Sequence, residues 1–306
     1  MAYGYDVSNL PSYTKQDAAM LIYAKVFQEA DTAKYATIQT GIKSAETINI
    51  INSELVWQTQ GCSFNASGTT DYSQRTLTVG KMKVDGQWCE RDLEPKFLQE
   101  AMKAGGNYDS LTFNTKIVDD IMQKIKKRQE IALWQASTNH TDQYLKHYDG
   151  FIKIIGAASG VVPYSGTAWS EANSRTVVRG ILDAIPNDVY AAGEVVIFMG
   201  RDMVRSYRRK LSIDNLYNRN VEGSDENEIL AENTNVKIVG VNGLTGTSKA
   251  YAVEPSNLVI GTDMMNEQEK TEMWFSQDDR VIKFTTEWKT GVQIAFPERI
   301  VKYLGV

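Results

Sequence analysis

The sequence is poor in the side chains that catalysis and metal binding use most. It has two histidines, His140 and His147, and two cysteines, Cys62 and Cys89. Two cysteines cannot form a framework of disulfides, and so few of them fit a reducing compartment. No HExxH or nucleophile-elbow pattern is present. The sequence therefore predicts no catalytic, cofactor-binding or metal-binding residue, and a protein that is not an enzyme.

Two more specific interpretations, a metal site and a phosphate loop, remain as minor alternatives. The histidines are seven residues apart, so on a helix they would share a face and bind a metal. Their segment is hydrophilic, however, which favours solvated loop residues. The segment 240–249, GVNGLTGTSK, has the wrong glycine spacing for a phosphate loop and is predicted to be a hairpin turn.

Long apolar runs are also missing. The sequence has no stretch of 18 apolar residues, so no transmembrane helix is predicted. The first 17 residues lack the features of a secretion signal, and we therefore expect a cytoplasmic protein. The net charge of -5 comes from 33 basic and 38 acidic residues that are interspersed, which is no overall signature of membrane or nucleic-acid binding. Basic clusters at 124–128 and 201–210 leave DNA contact as an alternative to solvent exposure.

What the sequence does have is one long helical pattern. Apolar residues recur at intervals of three and four from Ile117 to Ile125, and the apolar residues of 131–136 close the pattern, which predicts a helix over 111–137. At ~1.5 Å per residue it would be roughly 37 Å long, enough to act as a strut. The pattern indicates a mechanical role.

A predicted β-hairpin precedes this helix. Segments 46–53, 55–65 and 75–88 have strand character, and the polar segment 65–74 suits a flexible tip between the last two. Gly80 shifts the alternation, as a bulge would. A two-stranded hairpin is marginal in water, so its large apolar residues predict docking on another subunit.

Residues 170–261 have a different pattern, that of a compact α+β unit. We expect helices near 170–185 and 201–211, with strands at 194–199, 235–241 and 249–261. The chain then ends in long strands at 271–277, 280–296 and 299–306.

This order of elements resembles the major capsid proteins of tailed bacteriophages, which have the Hong Kong 97-type fold. The likeness is carried by the hairpin of 53–88, the helix of 111–137, the helix and EVVIFMGRDMVRSYRRK of 170–210, and the ending EWKTGVQIAFPERIVKYL. The resemblance implies an α+β fold. Its parts are an N-terminal arm and helix at 1–43, an E-loop hairpin at 44–91, a P-domain at 92–165 with a spine helix at 111–137, an A-domain at 166–262, and P-domain strands at 263–306 whose last strand returns to the A-domain.

The same resemblance implies a structural protein that self-assembles into an icosahedral capsid around a double-stranded DNA phage genome. The alternative is the shell of an encapsulin-type compartment. The implied partners are copies of the chain as pentamers and hexamers, with scaffold, portal and cement proteins, indirect contact with packaged DNA, and no membrane. The protein would lie in the virion capsid after assembly in the bacterial cytoplasm. We expect the subunit interface to include Trp57, Phe64, Arg75, Leu77, Trp88, Arg205, Arg208 and Arg209.

Overall fold

The computed structural model describes residues 31–60, 67–89, 110–214, 227–232, 234–263, 272–279 and 281–305. The part of the predicted arm and helix before residue 31, the start of the predicted P-domain at 92–109, and Cys62 and Phe64 lie outside these residues. No helix in the described part of the chain is long and apolar enough to cross a membrane. The helices are α1 Ser110–Gln135, α2 Phe151–Ala157, α3 Ser174–Asp183, α4 Asn187–Ala192 and α5 Arg201–Ile213. The strands are β1 Thr37–Gln39, β2 Ala45–Leu55, β3 Gly68–Thr78, β4 Gly80–Trp88, β5 Val162–Gly166, β6 Val196–Gly200, β7 Glu228–Leu230, β8 Lys237–Val241, β9 Ala250–Val253, β10 Leu258–Thr262, β11 Glu272–Ser276, β12 Val281–Ile294 and β13 Val301–Gly305.

The predicted long helix is α1, and its bounds differ from the prediction by no more than two residues. Met122 and Ile125 pack with Phe284 of β12, while Leu133 and Trp134 near its C-terminus are almost fully buried. The helix therefore crosses one sheet and ends in the largest core cluster of the described residues.

A six-stranded sheet forms the α+β unit, in the order β5-β13-β9-β6-β8-β7. Its central strand β6 is buried at every position, which explains why its sequence is one continuous apolar run rather than an alternation. Helices α3 and α5 pack beside it through Val177, Ile181, Met203 and Tyr207. The helices and strands predicted for this unit are thus confirmed, apart from the two corrections below.

The first correction concerns 249–261, which we predicted to be one strand. A short 3-10 helix at Pro255–Asn257 divides it into β9 in the six-stranded sheet and β10, which pairs with β12 in the other sheet. The chain therefore leaves the α+β unit before residue 258, earlier than the predicted boundary at 262.

The second correction concerns the loop at 240–249. Strands β8 and β9 lie on opposite sides of β6, so this segment crosses over the end of β6 and the predicted hairpin turn is wrong. The crossing presses Gly243 against the long helix: a Cβ there would lie 2.3 Å from Trp134 Cδ1 and 2.5 Å from the Glu130 carbonyl oxygen. Only glycine fits this approach.

A second sheet contains β1, β10, β12 and β11, with β4 paired to the other side of β12. Trp134 joins it to the six-stranded sheet, since its ring stacks on Tyr251 at 5.6 Å and packs 5.2 Å from Phe151. The same core cluster includes Ile260 and Ile294 of the five-stranded sheet. The end of α1 is therefore the joint between the two sheets.

Candidate subunit interface

The hairpin of β2 and β3 forms a two-stranded sheet of its own. Its register runs from Ala45 opposite Thr78 to Leu55 opposite Gly68. The tip therefore begins after Leu55 and ends before Gly68, so our predictions of 55–65 as a strand and 65–74 as the tip were wrong. Two strands alone bury little, so this ribbon depends on contacts beyond itself.

The outer half of the ribbon carries an apolar surface, which we call the hairpin patch. Ile51 and Tyr72 face each other across the strands and are 61% and 76% exposed. At the tip, Val56 is 56% and Trp57 is 96% exposed. Large apolar groups clustered in this way mark interaction sites on proteins. Trp57 was predicted as an interface residue. Tyr72 was not, because it had been placed in the flexible tip, and Ile51 was not singled out within its predicted strand.

The base of the ribbon belongs to the chain's own core. Leu77 is fully buried with Ile42, Val79 and Val259, so its predicted place in the subunit interface is wrong. A Cβ on Gly261 would lie 2.8 Å from Leu77 Cδ2, which shows how closely the leucine packs on β10. Leu77 anchors the ribbon to the five-stranded sheet.

Two other predicted interface residues are half-buried. Trp88 ends β4, outside the hairpin, and packs against Met122 and Phe284 beneath the long helix, so its interface role stays a prediction for the part of the ring that is exposed. Arg75 lies on β3 opposite Ile48. Of the hairpin residues predicted from sequence, Trp57 offers the largest exposed apolar side chain among those described.

The outward face of the five-stranded sheet holds a groove of about 530 Å³. Trp274 of β11 is 42% exposed in it, among charges of both signs. Lys83 lies 3.1 Å from Asp85, whose carboxylate also accepts a 2.6 Å hydrogen bond from the Thr285 hydroxyl. The Thr285 bond and Lys83 hold the pKa of Asp85 below its ordinary value. The lining residues are Lys83, Asp85, Gly86, Gln87, Trp274, Lys283, Phe284, Thr285 and Glu287.

The three predicted interface arginines lie on α5 and differ in their surroundings. Arg208 donates to the Glu228 carbonyl oxygen at 2.7 Å, so it binds within its own unit. Arg209 lies 3.2 Å from Glu171 on the surface, and Arg205 is exposed. Glu232, a few residues after Glu228, is bound by Arg179 of α3 at 2.9 Å.

The histidines lie on the surface in a turn-rich segment rather than on a helix. His140 Nδ1 accepts a 3.0 Å hydrogen bond from the backbone N–H of Asp142. In the described ranges, no group of three or more His, Cys, Asp or Glu side chains is arranged to hold a metal ion.

Several solved structures share this architecture. No family model matches the sequence, and no curated protein matches it either. Among solved structures, the capsid of a native GTA particle matches with a TM-score of 0.62 at 11% identity over 91% of both chains. The procapsid of satellite phage P4, described with its size determination protein, matches with a TM-score of 0.60 at 10% identity over 100% of this chain and 94% of that one. A structure from Mycobacterium phage Adephagia matches with a TM-score of 0.57 at 10% identity, over 100% and 95%. The chain therefore has the Hong Kong 97-type fold of phage capsid proteins.

Proposed function

We propose that this chain is the major capsid protein of a tailed bacteriophage and assembles into an icosahedral shell around double-stranded DNA. The observation that carries the proposal is the hairpin patch, an apolar surface on a ribbon that the described part of the chain leaves uncovered. Similarity of fold to phage and GTA capsids over 90% or more of the chain supports it.

Covering the patch gives assembly a driving force. Burying one large apolar side chain contributes about 1.5–3 kcal/mol, and the patch offers four such side chains in every copy. The groove beside Trp274 is a suitable receiver on a neighbouring copy because it combines an exposed aromatic ring with charges of both signs. In the domain scheme that the resemblance implies, the E-loop of one subunit then lies over the P-domain of the next.

The remaining assignments follow from this scheme. The α+β unit corresponds to the A-domain, which would meet its copies at the centres of pentamers and hexamers. Scaffold, portal and cement proteins would complete the particle, and the role is structural rather than catalytic. The shell would assemble in the bacterial cytoplasm and remain as the virion capsid.

Electron microscopy of the purified chain, with and without scaffold protein, tests the proposal. We expect closed icosahedral particles in at least one of these conditions. A stable monomer under every assembly condition contradicts it. Particles isolated from infected cells are then treated with nuclease: protected DNA indicates a phage capsid, whereas DNA-free particles that hold a cargo enzyme indicate the encapsulin-type compartment.

A further inference from the structure

The segment 31–36, the first described part of the predicted arm, is tied to three separate elements. Asp31 forms an ion pair with Arg201 at the start of α5, Thr32 bonds to Glu130 of α1, and the Tyr35 hydroxyl donates to Glu228 of β7. The Tyr35 ring also packs edge-on against Phe198 at 5.8 Å. The segment therefore bridges the long helix and the six-stranded sheet.

The centre of this attachment is a buried carboxyl group. Glu130 is 3% exposed, and Thr32 donates to it from its hydroxyl and from its backbone N–H, the latter at 3.4 Å. The Thr32 hydroxyl also accepts a 2.7 Å bond from Trp134 Nε1. If the segment that contains Thr32 moved away, the Glu130 carboxyl group would lose both of these donors and would no longer be covered.

The groups around Glu130 shift its pKa in opposite directions. Burial raises the pKa of Glu130 to about 7, and the negative charge of Asp31 adds to the rise, whereas the Thr32 hydrogen bonds and Arg201 oppose it. Burial raises the pKa of the Tyr148 hydroxyl, and the negative charge of Glu130 adds to that rise. A buried carboxyl that titrates near neutral pH is sensitive to a change in its cover.

We propose that residues 31–36 form a latch on the long helix, and that the latch opens when Glu130 loses its proton. In the closed latch, Thr32 covers the protonated carboxyl group. In the open latch, water reaches the ionised carboxylate and solvates it. The proton leaves to solvent, so the step needs no other reactant.

The direction of the pH effect follows from linkage. In the closed latch the folded pKa of Glu130 is about 7, above the ordinary value of 4.5 that solvent access restores. The closed state therefore binds the proton more tightly, and its advantage is lost as pH rises through 7. Since one pKa unit is a factor of ten, the open-to-closed ratio rises roughly 70-fold between pH 5 and pH 8.

Hydrogen exchange of the intact chain measures the latch directly. The backbone N–H groups of Tyr35 and Ala36 bond to the Thr32 carbonyl oxygen at 3.1 and 3.0 Å and report on closure. After correction for the intrinsic pH dependence of exchange, we expect their protection to fall roughly 70-fold from pH 5 to pH 8 in the wild type. In Glu130→Gln, which keeps the shape and cannot ionise, protection is expected to be independent of pH.

Matched variants separate the latch from general effects. Glu194→Gln, at an exposed site on a loop, is expected to behave as the wild type. If Glu130→Gln fails to fold, Thr32→Val replaces it: loss of the hydroxyl donor moves the midpoint to higher pH, while Thr32→Ser leaves it in place. Protection that does not change with pH in the wild type, or that changes equally in Glu130→Gln, overturns the proposal.

Discussion

Ile51 and Tyr72 lie directly opposite each other on the two strands of the hairpin, and both are mostly exposed. Cross-strand pairs of this kind stabilise a hairpin only modestly, by about 0.2–1 kcal/mol. Even with this cross-strand contact, Ile51 remains 61% exposed and Tyr72 remains 76% exposed. The relationship indicates a ribbon whose register is fixed within the chain and whose apolar face is left for a partner.

Replacing Ile51 and Tyr72 together with serine is expected to reduce the yield of assembled particles strongly. The unassembled chain should lose about 1 kcal/mol or less, because both side chains are already in water. Sedimentation gives the particle yield and chemical denaturation gives the stability of the chain. Thr47→Ala, on the same face of the ribbon nearer its base, serves as the control and should leave the yield unchanged. An equal yield in the double variant would remove the hairpin patch from the interface.

Leu77→Ala has the opposite profile. Because Leu77 is fully buried in the chain's own core, we expect the unfolding free energy to fall by about 2–5 kcal/mol before any assembly occurs. Leu304→Ala, at an exposed position of β13, should cost about 0.5 kcal/mol. A Leu77→Ala chain of normal stability that fails only to assemble would return Leu77 to the interface.

Gly243→Ala tests the contact between the crossing loop and the long helix. The added Cβ would collide with Trp134 and with the Glu130 carbonyl oxygen, so we expect a loss of about 1–3 kcal/mol measured by chemical denaturation. Gly156→Ala in α2 is the control, since its Cβ meets nothing within 4 Å. That change should stabilise the chain by about 0.5–1 kcal/mol. If Gly243→Ala left the free energy of unfolding unchanged, the loop and the helix would not be in close contact.

The raised pKa of Glu130 also predicts how the free energy of unfolding depends on pH. Its folded pKa of about 7 lies above its ordinary 4.5, so its contribution is fully present below pH 4.5 and is lost as pH rises through 7. Between pH 5 and pH 8 we expect the wild type to lose about 2–3 kcal/mol relative to Glu130→Gln. Denaturation curves of both chains at the two pH values measure the difference. Parallel curves would mean that Glu130 does not titrate in this range.

Local patterns in the sequence were enough to predict several elements of the fold. The apolar spacing of α1 and α5 and the unbroken apolar run of β6 each follow from a few neighbouring residues, and the structure has all three. The order of these elements then led to the correct fold class.

Pairing between distant segments was not predictable in the same way. Segments 46–53 and 55–65 both look like strands, and local composition does not say which one pairs with 68–78. Gly80 shifts the alternation because the chain passes there from one sheet to another, beneath the His147 carbonyl, and not because of a bulge. Thr32 and Glu130 are 98 residues apart, and nothing near either residue signals their contact.

A reconstruction of the assembled particle by electron cryomicroscopy tests the central claim most directly, because it shows what covers Trp57 and Tyr72. The account predicts a closed shell in which both rings are buried against a neighbouring copy of the chain. A particle in which the two rings remain in solvent, or fold back onto their own subunit, would contradict it.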